Sequence, residues 1–117
     1  GLNFIDVYFR TGLYPAPSMP FIAGNEAAGE VTAVGPGVTD FKVGDRVAYV
    51  STLGAYAEER VIDTKLLVSL PASVSYETAA GMMLKGLTAE YLLHRTFKLA
   101  PGHVARIHAA AGGTGQI

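Results

Sequence analysis

Glycine and proline cut this chain of 117 residues into short pieces, and that punctuation constrains its fold more than any other feature. Pro15, Pro17 and Pro20 each lack an amide donor and fix their own backbone angle, which forbids regular helix or central strand around them. Residues 1 to 23 therefore read as a short helical turn and a Pro-rich loop. From Ala27 the text becomes strand-like, with Val31, Ala33 and Val34 running into Gly35-Pro-Gly37, a strong turn signal. Residues 43 to 50, 55 to 62 and 66 to 70 come next, each run short, rich in β-formers and bounded by Gly, Asp or Pro. Such spacing predicts a small, irregular all-β unit as far as Pro71.

Beyond Pro71 the period changes. Ser75 can cap a helix, although Thr78 stands where a full capping box needs Glu or Gln. Ala79, Ala80, Met83, Leu84, Leu87, Tyr91 and Leu92 then recur at helical spacing. Gly81 and Gly86 would each cost about 1 kcal/mol against Ala inside a helix. The pattern thus predicts two helices, near 75 to 81 and 86 to 97. Pro101-Gly102 makes a turn, and His103 to His108 reads as a strand entering the loop Ala109-Ala-Ala-Gly-Gly-Thr-Gly115. The fold class is mixed α/β.

Half the residues are hydrophobic and 16% are charged, which fits a packed domain rather than a disordered chain. The formal net charge is -1 and the nine Lys and Arg residues are scattered, so no nucleic-acid partner is expected. Absence of cysteine excludes a disulfide framework and any cysteine-ligated metal; it fits a reducing compartment, and the cytoplasm is the expected location. The longest apolar run, Ala79 to Leu84, is far short of the roughly 20 residues that span a bilayer, so no membrane partner is expected. The opening Gly1-Leu-Asn-Phe has neither a Met nor a signal pattern, and both ends are expected to lie inside a longer chain.

The glycine loop carries the clearest chemistry. A dinucleotide site needs a tight turn after a strand, then bare backbone that lets a pyrophosphate approach amide groups at a helix N-terminus. Ala110-Ala-Gly112-Gly-Thr-Gly115 supplies that pattern with Ala in place of the first Gly. Taken alone, a plain glycine turn explains these residues equally well.

Further motifs lie upstream. Asn3-Phe-Ile-Asp-Val-Tyr8 with Arg10-Thr-Gly-Leu-Tyr14, and Gly24-Asn-Glu-Ala-Ala-Gly29 with Gly35 and Val38, precede Val43-Gly-Asp-Arg-Val47, Gly54-Ala-Tyr56 and Leu84-Lys-Gly-Leu-Thr88. In this order and spacing the chain resembles zinc-free quinone oxidoreductases of the zeta-crystallin type, within the medium-chain dehydrogenase and reductase superfamily. The resemblance implies part of a chaperonin-10-like (GroES-like) irregular β-barrel over residues 1 to 84. The beginning of a Rossmann nucleotide-binding domain would occupy 85 to 117. It also implies NADPH as cofactor, a quinone or similar small acceptor as substrate, and a homo-oligomeric intact enzyme.

By the same resemblance Asn3, Asp6, Tyr8 and Tyr14 would serve catalysis in the substrate cleft. Asn3, Phe4, Ile5, Asp6, Val7 and Tyr8 would hold the nicotinamide end of the cofactor. Thr88 and Tyr91 would be further contacts, with Gly112, Gly113, Thr114 and Gly115 on the pyrophosphate. Plainer readings stand beside these: half-buried aromatics for Tyr8 and Tyr14, turn or cap residues for Asn3 and Asp6. Glu26 reads as a structural hydrogen-bond partner, His94 as a solvated helix residue and His108 as a strand end. Arg106 departs from the family's apolar residue there, and an unpaired charge in a doubly covered strand would be expensive.

The functional expectation is NADPH-dependent, zinc-independent quinone reduction, with these 117 residues alone unable to bind NADPH usefully. A zinc-free enal, enone or enoyl-thioester reductase is the alternative enzyme, with Tyr8 or Tyr14 as the acid. A non-catalytic, crystallin-like or RNA-contacting role is the alternative of another class. Zinc alcohol dehydrogenases have His where this chain has Asn25, and catalytic zinc needs three protein ligands. Elemental analysis of the intact protein is expected to find no stoichiometric zinc; one chelator-resistant zinc per chain would contradict this.

Overall fold

A computed structural model describes residues 1–50 and 53–117. The chain divides into two compact units, Gly1–Met83 and Leu84–Ile117.

The first unit opens with helix α1, Phe4–Thr11, two turns long where a single turn was expected. Asn3 is its N-cap in extended backbone, and the Asp6 carboxylate reaches back to accept from the Asn3 amide at 2.9 Å. Gly12 ends it in the left-handed region (φ 77°), its amide donating to the Phe9 carbonyl, a stop that only glycine makes cheaply. Pro15, three residues on, keeps the chain from resuming helix.

Strands β1 (Glu26–Glu30), β2 (Arg46–Val50) and β3 (Leu67–Ser69) form an antiparallel sheet in the order β1-β2-β3. Register places Glu26 opposite Val50, Ala28 opposite Ala48 and Tyr49 opposite Leu67. Val47, Ala48 and Tyr49 are all buried, so the central strand is covered on both faces and reads as continuous rather than alternating hydrophobics. The expected strand through Val34 stops early. Val31 exchanges backbone bonds with Asp45 and Gly44, and the chain then enters the Gly35-Pro-Gly37 turn.

The expected strand over residues 55 to 62 does not form. Among the described residues, only the amides of Ala55 and Tyr56 bond across, to Gly24 and Ala23, before the exposed Glu58-Glu59 turns away. Arg60 then folds back onto Tyr49, with its guanidinium 5.1 Å from the ring centre. The run from Leu66 is a 3-10 turn, Thr64–Leu66, capped by Asp63 and succeeded by the short β3.

Arg46 ties the end of this sheet to the next helix. Its guanidinium donates to the carbonyls of Pro71 (2.9 Å) and Val74 (2.7 Å) and lies 4.5 Å over the Tyr76 ring. One planar fork satisfies two carbonyls ahead of helix α2, Tyr76–Glu90, which lysine's single ammonium does less well. The Ser75 hydroxyl accepts from the Thr78 amide at 3.1 Å, as its cap position predicts.

Helix α2 is continuous where two helices were expected. Strong helix formers flank Gly81 and Gly86, and an unbroken backbone ladder with Ala79 and Ala89 buried outweighs two glycine penalties. The helix widens into a π turn, Tyr91–Thr96, closed by a 3.2 Å bond from the Phe97 amide to the Leu92 carbonyl.

Residues 103 to 108 are not a strand. A parallel strand has no hydrogen bonds of its own without neighbours, and among the described residues none lies beside it. His108 ends no strand among the described residues, and Arg106 is exposed there. No helix among the described residues is long and apolar enough to cross a membrane.

Arg46→Met is expected to remove two charged hydrogen bonds and the ring contact, costing about 1–3 kcal/mol. Urea unfolding of the intact protein checks it; an unchanged midpoint would show that Arg46 does not lock the sheet to α2.

Candidate functional site

In the first unit the site begins beneath the N-terminus of α1, where three acidic and amide side chains are buried together. Asp6 is 5% exposed, Asn25 7% and Glu26 1%. Burying carboxylates costs heavily unless donors surround them, and here the donors are specific. The Asn3 side-chain amide donates to Glu26 Oε1 at 2.7 Å. Asp6 Oδ2 accepts from the Asn3 amide and, at 2.7 Å, from the Tyr56 hydroxyl. Asp6 Oδ1 is buried and has no hydrogen-bond donor among the described residues. Glu26 is a structural partner, as its sequence context indicates, because its side chain is held inside the unit by Asn3.

Tyr56 appears in the sequence only as the end of the Gly54-Ala-Tyr56 motif, with no role assigned to it. Gly24 brings it in: this glycine has a left-handed φ of 91°, and a Cβ there would run into the Tyr56 ring. The nearby backbone bonds Ala55–Gly24 and Tyr56–Ala23 fix the same approach. The signal available in the sequence was the pair of glycines, Gly24 and Gly54, 30 residues apart, and spacing does not say which side chain fills the gap.

Desolvation, then the hydrogen bond to Asp6, then the charges of Asp6 and Glu26 push the Tyr56 phenol up to about 12. Because folding raises this value, the neutral phenol is the form that the folded state favours. Its contribution to stability is complete below about pH 10, the ordinary value, and is lost as pH rises through about 12.

On α1, Asn3 and Asp6 point into this network, whereas Phe4 is 79% exposed and Ile5, Val7 and Tyr8 are half-buried. Tyr8 and Tyr14 come together edge-to-face, ring centres 5.3 Å apart, and Phe9 meets Tyr14 at 5.9 Å. The Tyr14 amide donates to the Tyr8 carbonyl at 3.1 Å. Four of the expected residues thus lie along α1 and its exit in two groups: an amide and a carboxylate inside at its N-terminus, and two phenols together towards and beyond its C-terminus.

The second unit holds the remaining expected residues. The Thr88 hydroxyl donates to the Leu84 carbonyl at 2.8 Å, back along its own helix. Tyr91 is 55% exposed at the start of the π turn. The glycine loop is a set of tight turns, with Gly112 bonded to Ala109 and Gln116 to Gly112. Ala109 carries a left-handed φ of 53° at the entry to the loop, a strain of about 1–2 kcal/mol for a residue with a Cβ. The amides of Gly113, Thr114 and Gly115 have no acceptor among the described residues. A Cβ at Gly113 would lie 2.6 Å from Lys85 Cδ, and one at Gly115 would lie 2.7 Å from Ala110 Cα. Bare backbone with three available donors is what a diphosphate requires, so these residues fit the group. Among the described residues no group of three His, Cys, Asp or Glu side chains could hold a metal ion.

The family model for the alcohol dehydrogenase GroES-like domain matches residues 1–103. The chain belongs to that family. Its small antiparallel sheet and α1 are thus part of a GroES-like domain. This GroES-like chain is 58% identical to a quinone oxidoreductase of Pseudomonas aeruginosa over 98% of its own length and 36% of the relative's. It is 48% identical to a 2-haloacrylate reductase of a Burkholderia species, covering all of itself and 37% of that protein. Among solved structures it matches the Escherichia coli quinone oxidoreductase complexed with NADPH at a TM-score of 0.93 and 51% identity, over 98% of this chain and 36% of that one. The chain thus spans about a third of the length of the curated relatives it matches.

Spectrophotometric titration of the intact protein is expected to show one tyrosine ionising near 12, and Tyr56→Phe is expected to remove that step. Persistence of the step in the variant would place the high phenol elsewhere.

Proposed function

We propose that this chain is the GroES-like part, with the beginning of the nucleotide-binding part, of a zinc-independent reductase that moves hydride from NADPH to a quinone or similar activated carbonyl. Residues 1 to 84 belong to the first part in this reading and 85 to 117 to the second. The observation that carries it is the likeness to a quinone oxidoreductase complexed with NADPH, which extends over both the α1 end and the glycine loop.

When bound, the reduced nicotinamide supplies the hydride. The chain's own residues do the rest. Asn3, Phe4, Ile5, Asp6, Val7 and Tyr8 would form the wall for the nicotinamide. Thr88 and Tyr91 add contacts, and Gly112, Gly113, Thr114 and Gly115 offer amides to the pyrophosphate. Tyr8 and Tyr14 line the acceptor side. Hydride addition leaves negative charge on a quinone oxygen, and a proton must reach that oxygen to complete the hydroquinone. A hydrogen-bond donor beside that oxygen would stabilise the charge without a Lewis acid, and Tyr8 lines the cleft without being that donor.

The 2-haloacrylate reductase among the relatives favours a second reading, in which the acceptor is an activated carbon–carbon double bond. There a proton must be delivered to the carbon next to the carboxylate or carbonyl, and Tyr8 or Tyr14 becomes the acid. In either case the intact protein is a cytoplasmic homo-oligomer.

NADPH oxidation by the intact protein, followed with quinones and with 2-haloacrylates or enones, separates the two. Quinones are expected to turn over faster. Tyr8→Phe is expected to leave quinone reduction nearly unchanged; a loss of roughly 100-fold or more would make Tyr8 a required acid.

A further inference from the structure

We infer that Lys85 is a phosphate-reading residue of the glycine loop, and that Gly113 is bare partly to let this lysine pass. The inference rests on the reading of residues 112–115 as a pyrophosphate site. Lys85 lies on α2, 28 positions before Gly113, and is half-buried. A Cβ at Gly113 would sit 2.6 Å from Lys85 Cδ, 2.7 Å from Cε and 3.6 Å from Cγ. No carbon tolerates the first two distances, so the lysine stem crosses the Cα face of Gly113 in contact with it. The ammonium, one bond beyond Cε, is thereby held at the loop by packing of the stem.

That position has a chemical consequence. The amides of Gly113, Thr114 and Gly115 contribute only partial positive charges, whereas a pyrophosphate brings two full negative ones. Lysine is a compact point charge with three donors, suited to phosphate oxygens where geometry is not forked. Half-burial weakens screening of its field by salt. The nearest side chain packed on Gly113 is the charged Lys85, and Arg106 stands exposed in the segment before the loop. Lys85 is therefore a cofactor-binding residue whose charge acts on the diphosphate common to NADPH and NADH, not on the additional 2′-phosphate.

The experiment uses the intact protein and reads nucleotide affinity from the fluorescence of bound NADPH and NADH, independent of turnover. Lys85→Met keeps most of the stem and removes the charge. It is expected to weaken both nucleotides by about tenfold or more, and to flatten the loss of affinity with added salt. Lys85→Arg keeps the charge and is expected to restore affinity to within about threefold of the parent, which separates charge from packing. Thr114→Asp tests the underlying site by setting a carboxylate against the diphosphate, and is expected to weaken binding strongly. Parent-like affinity and salt dependence in Lys85→Met, with binding lost in Thr114→Asp, would overturn the role of Lys85 and leave the loop site standing. Unchanged binding in Thr114→Asp would overturn the loop site and this inference with it. Loss confined to NADPH would overturn the diphosphate assignment.

Discussion

The buried carboxylate of Asp6 organises the first unit. It receives the Asn3 amide and the Tyr56 hydroxyl on a single oxygen, and Asn3 passes the connection on to Glu26. Three separate stretches of chain meet there: the start of α1, the start of β1 and the loop after β2. A carboxyl group this far from water is tolerable only if hydrogen-bond partners reach it, so the network determines where α1 sits against the sheet. Apolar packing alone would leave that placement loose, because among the described residues the buried hydrophobic set of the unit is small: Val47, Ala48, Tyr49 and Ala79.

This arrangement separates two tasks along one short helix. Asn3 and Asp6 mostly hold the helix, while Tyr8 and Tyr14, a turn or more further on, stay half-buried or exposed with their rings against each other. Residues that secure the fold thus stand beside a pair of aromatic rings at the surface. In the second unit the same division recurs in simpler form: Lys85 packs its stem on Gly113, and the loop keeps three amides without acceptors among the described residues.

Much of the fold was legible because local chemistry decided it. Gly12 and Pro15 stop α1, Gly35-Pro-Gly37 ends the first β run, and Ser75 begins α2, each through backbone rules that need no tertiary partner. The errors share a cause as well. Residues 55 to 62 carry strand-like composition but lack a partner along their length, and residues 103 to 108 read as a strand that has no neighbour among the described residues. Gly81 and Gly86 look like breaks, yet a helix held at Ala79 and Ala89 runs through them. Propensity is a local quantity, and pairing and burial override it.

The candidate site divides in the same way. The sequence by itself determined which residue types were available: amide and carboxylate at Asn3 and Asp6, phenols at Tyr8 and Tyr14, bare backbone at Gly112 to Gly115. Only the tertiary structure decided that Tyr56, 50 positions from Asp6, completes the buried network, and that Lys85 crosses Gly113. Both are contacts between segments far apart in the chain. A hydrogen bond or a van der Waals contact has no sequence signature when its partners share no periodicity, so it becomes visible only once the chain has folded.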